Sequence, residues 1–568
     1  MISPLSYLSE SRHWFWSLIG DAKSLLWKAI VATLMINFMQ IFTSLFVMAV
    51  YNKVIPNSAT NSLVALAVGV AFLGVFDFIL KLLKARLVDT ASDRLEAKLQ
   101  PALFSKVLSW DLHKRPQFSG NSATLVRDLE SIVELFANNT ITTIVSLPFV
   151  LVNLSVIWFV AGPLALISTL ICIFTALVSV YYFFRVSSIA EDSKKLAVDK
   201  SSVFLEVVSG LEALKGIASY EYFEKKWEDV DSKSRQVSSR VKLGLSDVSS
   251  VNALIQAVGQ VSLVSAGAYL VILGDISTGG LIAAVMLNGR AQQPLGQLAG
   301  VLQRLSTAKA SYKRLDTVFQ TISTEEMRRQ NIRLGRVEGP IILSDLTYRP
   351  DQLNFDVFSA TRLLIKPTER VGVVGSVGSG KSTFLKLLSG VLTPTSGTVS
   401  YGSFDTSAIH QADLRRSIAY LGQTPGVFAG TIRDNIVLGA DSASEERLLK
   451  VVELTGLDSV LSKVPNGLSF VLSEGGRELS GGQRQILALA RAMYSEPTTL
   501  LFDEPTSAMD PKHERLFINR MSDFVKGKAL VVVTHRKPIL ALTERVLVIE
   551  SGKIILDGKR DEVLSKFK

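Results

Sequence analysis

Cysteine is almost missing from these 568 residues. Cys172 stands alone in an apolar run, which excludes an internal disulfide and a cysteine-built zinc site. A cleavable secretory signal is also lacking. Residues 1–24 carry "HWFW" and several charges but no long apolar stretch ending in small residues. They are expected to form a short amphipathic helix on the membrane face. No internal repeat or low-complexity tract stands out. The net charge of +10 comes without a basic stripe interleaved with aromatics, which argues against nucleic acid as a partner.

Long apolar sequence is what the chain has in excess. Hydrophobic residues make up 48%, mean hydropathy is +0.31, and the surplus lies before residue 310. A chain of this length exceeds a single core. Its asymmetry divides it into a terminal segment (1–24), a membrane domain (25–318), a linker (319–338) and a soluble domain (339–568). Six segments approach the ~20 residues that cross a bilayer: 27–51, 62–81, 140–160, 164–184, 252–273 and 279–300. The sixth is the weakest, carrying Asn288, Arg290, Gln292, Gln293, Pro294 and Gln297. Loops after the first, third and fifth spans are short, with Lys53 as their only base. Those after the second and fourth are long and basic, read as helical, and place both termini and the soluble domain in the cytoplasm. Asp77 and Arg290 would be costly facing lipid, so with Gln293 they are expected to face a hydrated path. For Arg290, snorkelling to the interface is the plainer alternative.

The soluble domain opens with a phosphate-binding pattern. "RVGVVG" (370–375) reads as a buried parallel strand, "GSVGSGKST" (375–383) as a loop, and "FLKLLSG" as a helix. In that context the backbone of Gly375, Ser376, Val377, Gly378, Ser379 and Gly380 cradles phosphates at a helix N-terminus. Lys381 would reach the β- and γ-phosphates of ATP, Ser382 would ligate Mg2+, and Thr383 follows in the same turn. "TTLLFDEPTSAMD" (498–510) supplies a second apolar strand ending in Asp503, placed to hold magnesium. Glu504 next to it is the candidate general base for water.

These strings resemble the ATP-binding cassette (ABC) transporters, and four more support the resemblance. "LSGGQ" (479–483) is similar to the family's signature, bringing Ser480, Gly481, Gly482 and Gln483 into the ATP site. Tyr348 in "LTYRP" matches the aromatic that stacks on adenine, and Gln423 in "YLGQTP" the Q-loop glutamine that also reaches magnesium. Ser507, Ala508, Met509 and Asp510 match the D-loop, and His535 in "VVVTHR" the switch histidine. The resemblance implies a six-helix transmembrane bundle, all-α and extended into the cytoplasm, fused to an α/β P-loop nucleotide-binding domain. It also implies a homodimer in which each ATP lies between one P-loop and the partner's signature. "GLEALKGIASYEYF" resembles a coupling helix that carries cassette motion to the spans.

"LSEGGRELSGGQRQ" and "GTIRDNI" look exporter-like. "HWFWSLI", "VYNKVIPNSATNSL" and "LNGRAQQPLGQLAGVLQRL" resemble the bacterial type I secretion ATPases. That implies an inner-membrane protein, a polypeptide substrate, a periplasmic adaptor and an outer-membrane channel. Many such relatives carry a peptidase-like domain before the first span, and the ~25 residues here are too few for one. Export of lipids or small hydrophobic compounds is the alternative with the same layout. An ATP-gated channel or regulator is the third, and intact Glu504 and His535 argue against it.

Overall fold

The computed structural model describes residues 14–15, 20, 22–110, 123–137, 140–217, 220–320, 332–350, 353–438, 440 and 443–566. Most of the amphipathic segment expected over 1–24 therefore lies outside the described residues. So do part of the linker and residues 218–219 of the coupling-helix string. The chain divides into two compact units, one of residues 1–108 and 116–321, the other of the remainder.

Among the described residues, every regular element of the first unit is a helix. Its elements are α1 (Lys23–Ala49), α2 (Thr60–Leu108), α3 (Ala123–Ala137), α4 (Thr140–Ala161), α5 (Leu164–Ser209), α6 (Leu211–Gly216), α7 (Tyr220–Leu273), α8 (Thr278–Gly296) and α9 (Leu298–Gln320). Among the described residues five are long and apolar enough to cross a membrane: α1, α2, α4, α5 and α7. Helices α2, α5 and α7 have 49, 46 and 54 residues. At 1.5 Å per residue each runs to about 70–80 Å, against a hydrocarbon core of ~30 Å. The spans thus continue as long helices well past a bilayer's thickness, as the helical reading of the loops expects. Phe72, Phe159 and Ile272 are 72%, 87% and 82% exposed, an apolar exterior suited to lipid.

Helix α8 covers the sixth expected span but falls short of the others in apolar content. It stops at Gly296, and α9 begins at Leu298. Its neighbours supply the reason. Ala283, Ala284, Leu287 and Ala291 are fully buried, and α8 packs against α1, α4, α5 and α7. A helix wrapped by others needs no apolar circumference, so it can carry Asn288, Gln292 and Gln293. At the near end of the chain, Trp14 donates from Nε1 to Asp316 at 2.7 Å and stacks on Phe319, with centroids 4.2 Å apart.

The second unit is a ten-stranded sheet with helices. The strands used below are β1 (Ile341–Tyr348), β2 (Phe358–Ile365), β3 (Arg370–Val374), β4 (Ser396–Tyr401), β5 (Phe404–Asp405), β6 (Ile418–Leu421), β7 (Gly430–Thr431), β8 (Val471–Leu472), β9 (Thr499–Asp503), β10 (Ala529–Val533), β11 (Arg545–Glu550) and β12 (Lys553–Lys559). The large sheet runs β5-β4-β1-β2-β12-β11-β3-β10-β9-β6, and β7 pairs with β8 apart from it. Strands β11, β3, β10, β9 and β6 are mutually parallel, whereas β1 pairs antiparallel with β2 and β4. All five residues of β9 and of β10 are buried, which explains their unbroken apolar sequence.

Two large cores, beside a smaller one around Val546 and Val548, divide the described residues of this unit. One joins the sheet to the helix Lys381–Leu388 through Phe358, Phe384, Leu385 and Leu388. The other gathers the helix Gly481–Tyr494 with Ile432, Ile436, Leu448 and Val452. The parallel strands place their C-terminal ends side by side: Val533 pairs with both Val373 and Asp503, and Leu421 with Phe502. Ligands of open parallel sheets collect outside such ends.

Candidate nucleotide site

Four consecutive loops leave that edge. The first follows β3. Gly375 leaves the strand at φ +155°, and a Cβ there would stand 1.9 Å from the Ile549 carbonyl, so only glycine makes this turn. Ser379 N–H donates to Ser376 O at 3.3 Å, and Gly380 (φ +95°) starts the helix Lys381–Leu388. Val377, at the crown, is 92% exposed. A glycine loop running into a helix N-terminus presents backbone N–H groups and the positive end of the dipole to an anion.

Lys381 is folded back across this loop. Its Nζ donates to Gly375 O at 3.0 Å and Ser376 O at 2.6 Å, and the side chain is 7% exposed. Burial lowers its pKa, while the charges of Asp503 and Glu504 act the other way. The ammonium is thus pre-positioned over the loop by two carbonyl oxygens.

The second loop follows β9. Asp503 closes the strand, is 2% exposed and faces the Ser382 hydroxyl across the cavity they both line. Burial raises its pKa, and the Ser382 hydroxyl opposes that. Asp503, Ser382 and Gln423 line one cavity of about 490 Å³ together with Tyr420 and Arg491. The Tyr420 phenol is pushed up to about 12, chiefly by burial. A carboxylate, a hydroxyl and an amide oxygen form a hard-oxygen donor set that fits Mg2+, and a divalent cation would offset the burial cost on Asp503. Among the described residues no three His, Cys, Asp or Glu side chains form a metal-holding cluster. Magnesium is typically held by one or two carboxylates plus substrate phosphates and water.

Glu504 adopts φ +50°, a conformation side chains rarely take and one that costs about 1–3 kcal/mol. Four bonds hold it there. Its N–H donates to Val533 O at 2.9 Å, and its carbonyl accepts the Ser507 N–H at 3.2 Å, Gln485 Nε2 at 2.6 Å and Ser507 Oγ at 3.0 Å. Its carboxylate lies 3.6 Å from His535 Nε2, just past β10. The sequence placed these two residues 31 positions apart, and the parallel pairing of β9 and β10 brings them together.

Two residues of this site were missed from the sequence. Gln485, 2% exposed, donates to Glu504 O and accepts the Ala508 N–H at 3.1 Å. Arg536 donates to Ser507 O at 3.0 Å, Met509 O at 3.2 Å and Glu514 at 3.2 Å. Together they clasp Ser507, Ala508 and Met509 from two sides. Asp510 caps the next helix, accepting His513 N–H at 2.8 Å. We expect Gln485→Ala to lower kcat for ATP about tenfold, the worth of two hydrogen bonds, with KM changed less than about twofold. Gln485→Glu keeps the acceptor for Ala508 and should fall between. Steady-state ATPase assays read the split, and a matching rise in KM would point to loss of nucleotide binding instead.

Ser480 caps the helix Gly481–Tyr494 in a reciprocal box. Its Oγ accepts Gln483 N–H at 3.3 Å, and its N–H donates to Gln483 Oε1 at 2.7 Å. The cap uses a lone pair, so the hydroxyl proton stays available to donate. A Cβ on Gly482 would come within 2.5 Å of Ala508 O, so glycine here permits close approach to the loop after β9. The 490 Å³ cavity is lined by Ala488 and Arg491 of this helix, whereas Ser480, Gly481, Gly482 and Gln483 lie outside its lining. Tyr348 differs from an open stacking platform: it is 6% exposed and packs in the sheet core with Phe358. Thr383 lies one turn into the P-loop helix, half-buried.

The membrane unit holds its own candidate path. A cavity of about 830 Å³ is lined by Asn252, Gln256, Gln292, Gln293, Gln297 and Arg304, among others. Arg290 and Gln293 line a smaller adjoining one. Asp77 lines neither; Lys81, one turn along α2, engages it at 2.6 Å.

Comparison with known proteins agrees with both halves. Residues 26–295 match the model for the ABC transporter transmembrane region, and residues 358–507 the model for the ABC transporter cassette. The leukotoxin translocation ATP-binding protein of a Pasteurella haemolytica-like species is 29% identical over 94% of this chain and 76% of its own length. The alpha-hemolysin translocation ATP-binding protein of Escherichia coli is 28% identical over 97% of this chain and 78% of its own. A solved bacterial Atm1-family ABC exporter with ATP bound superposes with TM-score 0.80 at 18% identity, covering 97% of this chain and 96% of that one. The chain is therefore a multi-pass member of the ABC transporter family, an ATPase coupled to transport with membrane region and ATP-binding domain on one polypeptide.

Proposed function

We propose that this protein exports an unfolded polypeptide across the bacterial inner membrane, in the manner of type I secretion. The observation that carries this reading is the 830 Å³ cavity between α4, α5, α7, α8 and α9. Its amide side chains suit a peptide backbone, whose N–H and C=O groups need partners that acyl chains cannot provide. A transporter for lipids or apolar compounds calls for a mainly apolar chamber. Relatives named for leukotoxin and hemolysin translocation support the same substrate class. A periplasmic adaptor and an outer-membrane channel complete the route.

The engine we propose is a homodimer. The signature residues Ser480, Gly481, Gly482 and Gln483 do not line the cavity that holds Ser382, Gln423 and Asp503, which supports their serving the ATP of a second copy. Lys381 neutralises the transferring phosphoryl group, and the P-loop N–H groups hold its neighbours. Glu504 takes the proton of the attacking water, and His535, 3.6 Å away, orients that carboxylate and the phosphoryl oxygens. Magnesium, held by Ser382, Gln423 and Asp503, would neutralise phosphate charge. Closure of two cassettes over ATP and their release after hydrolysis would switch the bundle between its two openings.

The test is secretion. The chain is expressed with an adaptor, an outer-membrane channel and a candidate secreted protein, and the medium is assayed. We expect the protein outside the cell only when all three components are present. Failure with every matched polypeptide, alongside ATPase stimulated by lipids or drugs, would replace the polypeptide with a hydrophobic substrate.

A further inference from the structure

Beside the amide-lined cavity lies a recess of about 200 Å³ with different chemistry. Three cations line it: Lys81 and Lys84 of α2 and Arg290 of α8. Lys81 is engaged by Asp77, but no acidic residue lines the recess itself. Among the described residues, Lys84 and Arg290 have no ion pair within 4.0 Å. Arg290 Nη1 is buried without a hydrogen-bond partner. So is Oδ1 of Asn153, a lining side chain only 7% exposed.

Arg290 stands about 18 Å along α8 from its start, a distance shorter than the ~30 Å thickness of a bilayer's hydrocarbon layer. Asp77 reaches Arg290 and Lys84 only through its charge, being paired with Lys81, and a guanidinium without a direct ion pair among membrane helices is costly and marks a ligand path. The walls are already organised. Asn37 donates to Ser146 at 2.9 Å, and Thr143 donates to Gln297 at 2.9 Å. Thr143, Gln293 and Gln297 belong to both this recess and the 830 Å³ cavity, so whatever passes through the larger space meets the cations.

We propose that the recess binds a side-chain carboxylate, Asp or Glu, of the polypeptide in transit, with Arg290 as its principal partner. Planar guanidinium matches carboxylate bidentately, and Lys84 adds a second charge. The inference rests on the polypeptide reading above and adds acidic side chains as a recognised feature. A lipid phosphate is the rival anion, but its acyl chain needs an apolar slot. The recess offers Thr33, Asn37, Gln40, Thr142 and Ser146 instead.

The experiment uses the full chain in lipid nanodiscs. The probes are a fluorescent Gly/Ser peptide with spaced Asp residues and its Asn counterpart, compared by anisotropy. We expect the Asp peptide to bind roughly ten- to a hundredfold more tightly, the worth of one charge-assisted pair. Arg290→Gln should remove most of that preference, and Arg290→Lys should keep part of it. Equal binding of the two peptides to the unmodified chain overturns the recess assignment while leaving polypeptide export standing. Binding of neither peptide overturns both. A preference that survives Arg290→Gln, or one that vanishes when phosphatidylglycerol replaces neutral lipid in the disc, also overturns it, the latter in favour of lipid phosphate.

Discussion

Replacing Glu504 by Gln is expected to stop turnover while leaving ATP binding within a few-fold of its original strength. The amide can orient water but cannot accept its proton, and loss of a general base costs about 100- to 10,000-fold. The frame should survive the change. The bonds that hold residue 504 at φ +50° all run through its backbone, from its N–H to Val533 and to its carbonyl from Gln485 and Ser507. Only the carboxylate facing His535 at 3.6 Å is altered. The variant should accumulate as an ATP-bound closed dimer, read by size-exclusion chromatography together with bound nucleotide. Turnover close to that of the unmodified protein would remove Glu504 from the base role.

Lys381→Ala should weaken ATP binding at least about tenfold, because a cation already seated on the loop is lost and its charge-assisted bonds with it. Ser480→Arg should act elsewhere. It sacrifices a helix cap worth about 1 kcal/mol, which leaves the cassette folded. Its bulk and charge would obstruct whichever phosphate the signature serves. Alone, each variant should abolish ATP-dependent closure. Mixed, they should restore it in part. The heterodimer unites the intact P-loop of one chain with the intact signature of the other. Absence of rescue in verified mixed dimers would mean that each cassette completes its own site.

How much of this was visible in the sequence depended on whether a contact is local. The P-loop and Asp503 lie in unbroken strand–turn–helix strings, so the local pattern placed them on the right elements, whereas Ser480 was found through its resemblance to the family signature. Glu504 and His535 were legible as separate strings, and parallel β9 and β10 bring them together. Gln485 and Arg536 were not legible, because most of their partners are backbone atoms of a loop 19 to 29 residues away. A single chain offers no pattern that distinguishes such a glutamine from any other on a helix.

The membrane half shows the same limit from the other side. Hydropathy finds helices that face lipid, so α1, α2, α4, α5 and α7 stand out and the enclosed α8 does not. Arg290 was singled out by its cost alone. Its surroundings come from α1, α2, α4 and α8, residues far apart in sequence, so the recess exists only once the bundle is packed. Asp77 was expected on the same hydrated path; it pairs with Lys81 on its own helix face and lies outside the lining, though its charge still reaches Arg290.

The most direct measurement is translocation by the purified chain in sealed inside-out proteoliposomes, using an unfolded polypeptide and protease protection as the readout. We expect a protected fraction that appears only with ATP and magnesium, and that is lost with Glu504→Gln. Protection equal with and without ATP, or equal in the Glu504→Gln variant, would contradict ATP-driven export by this protein.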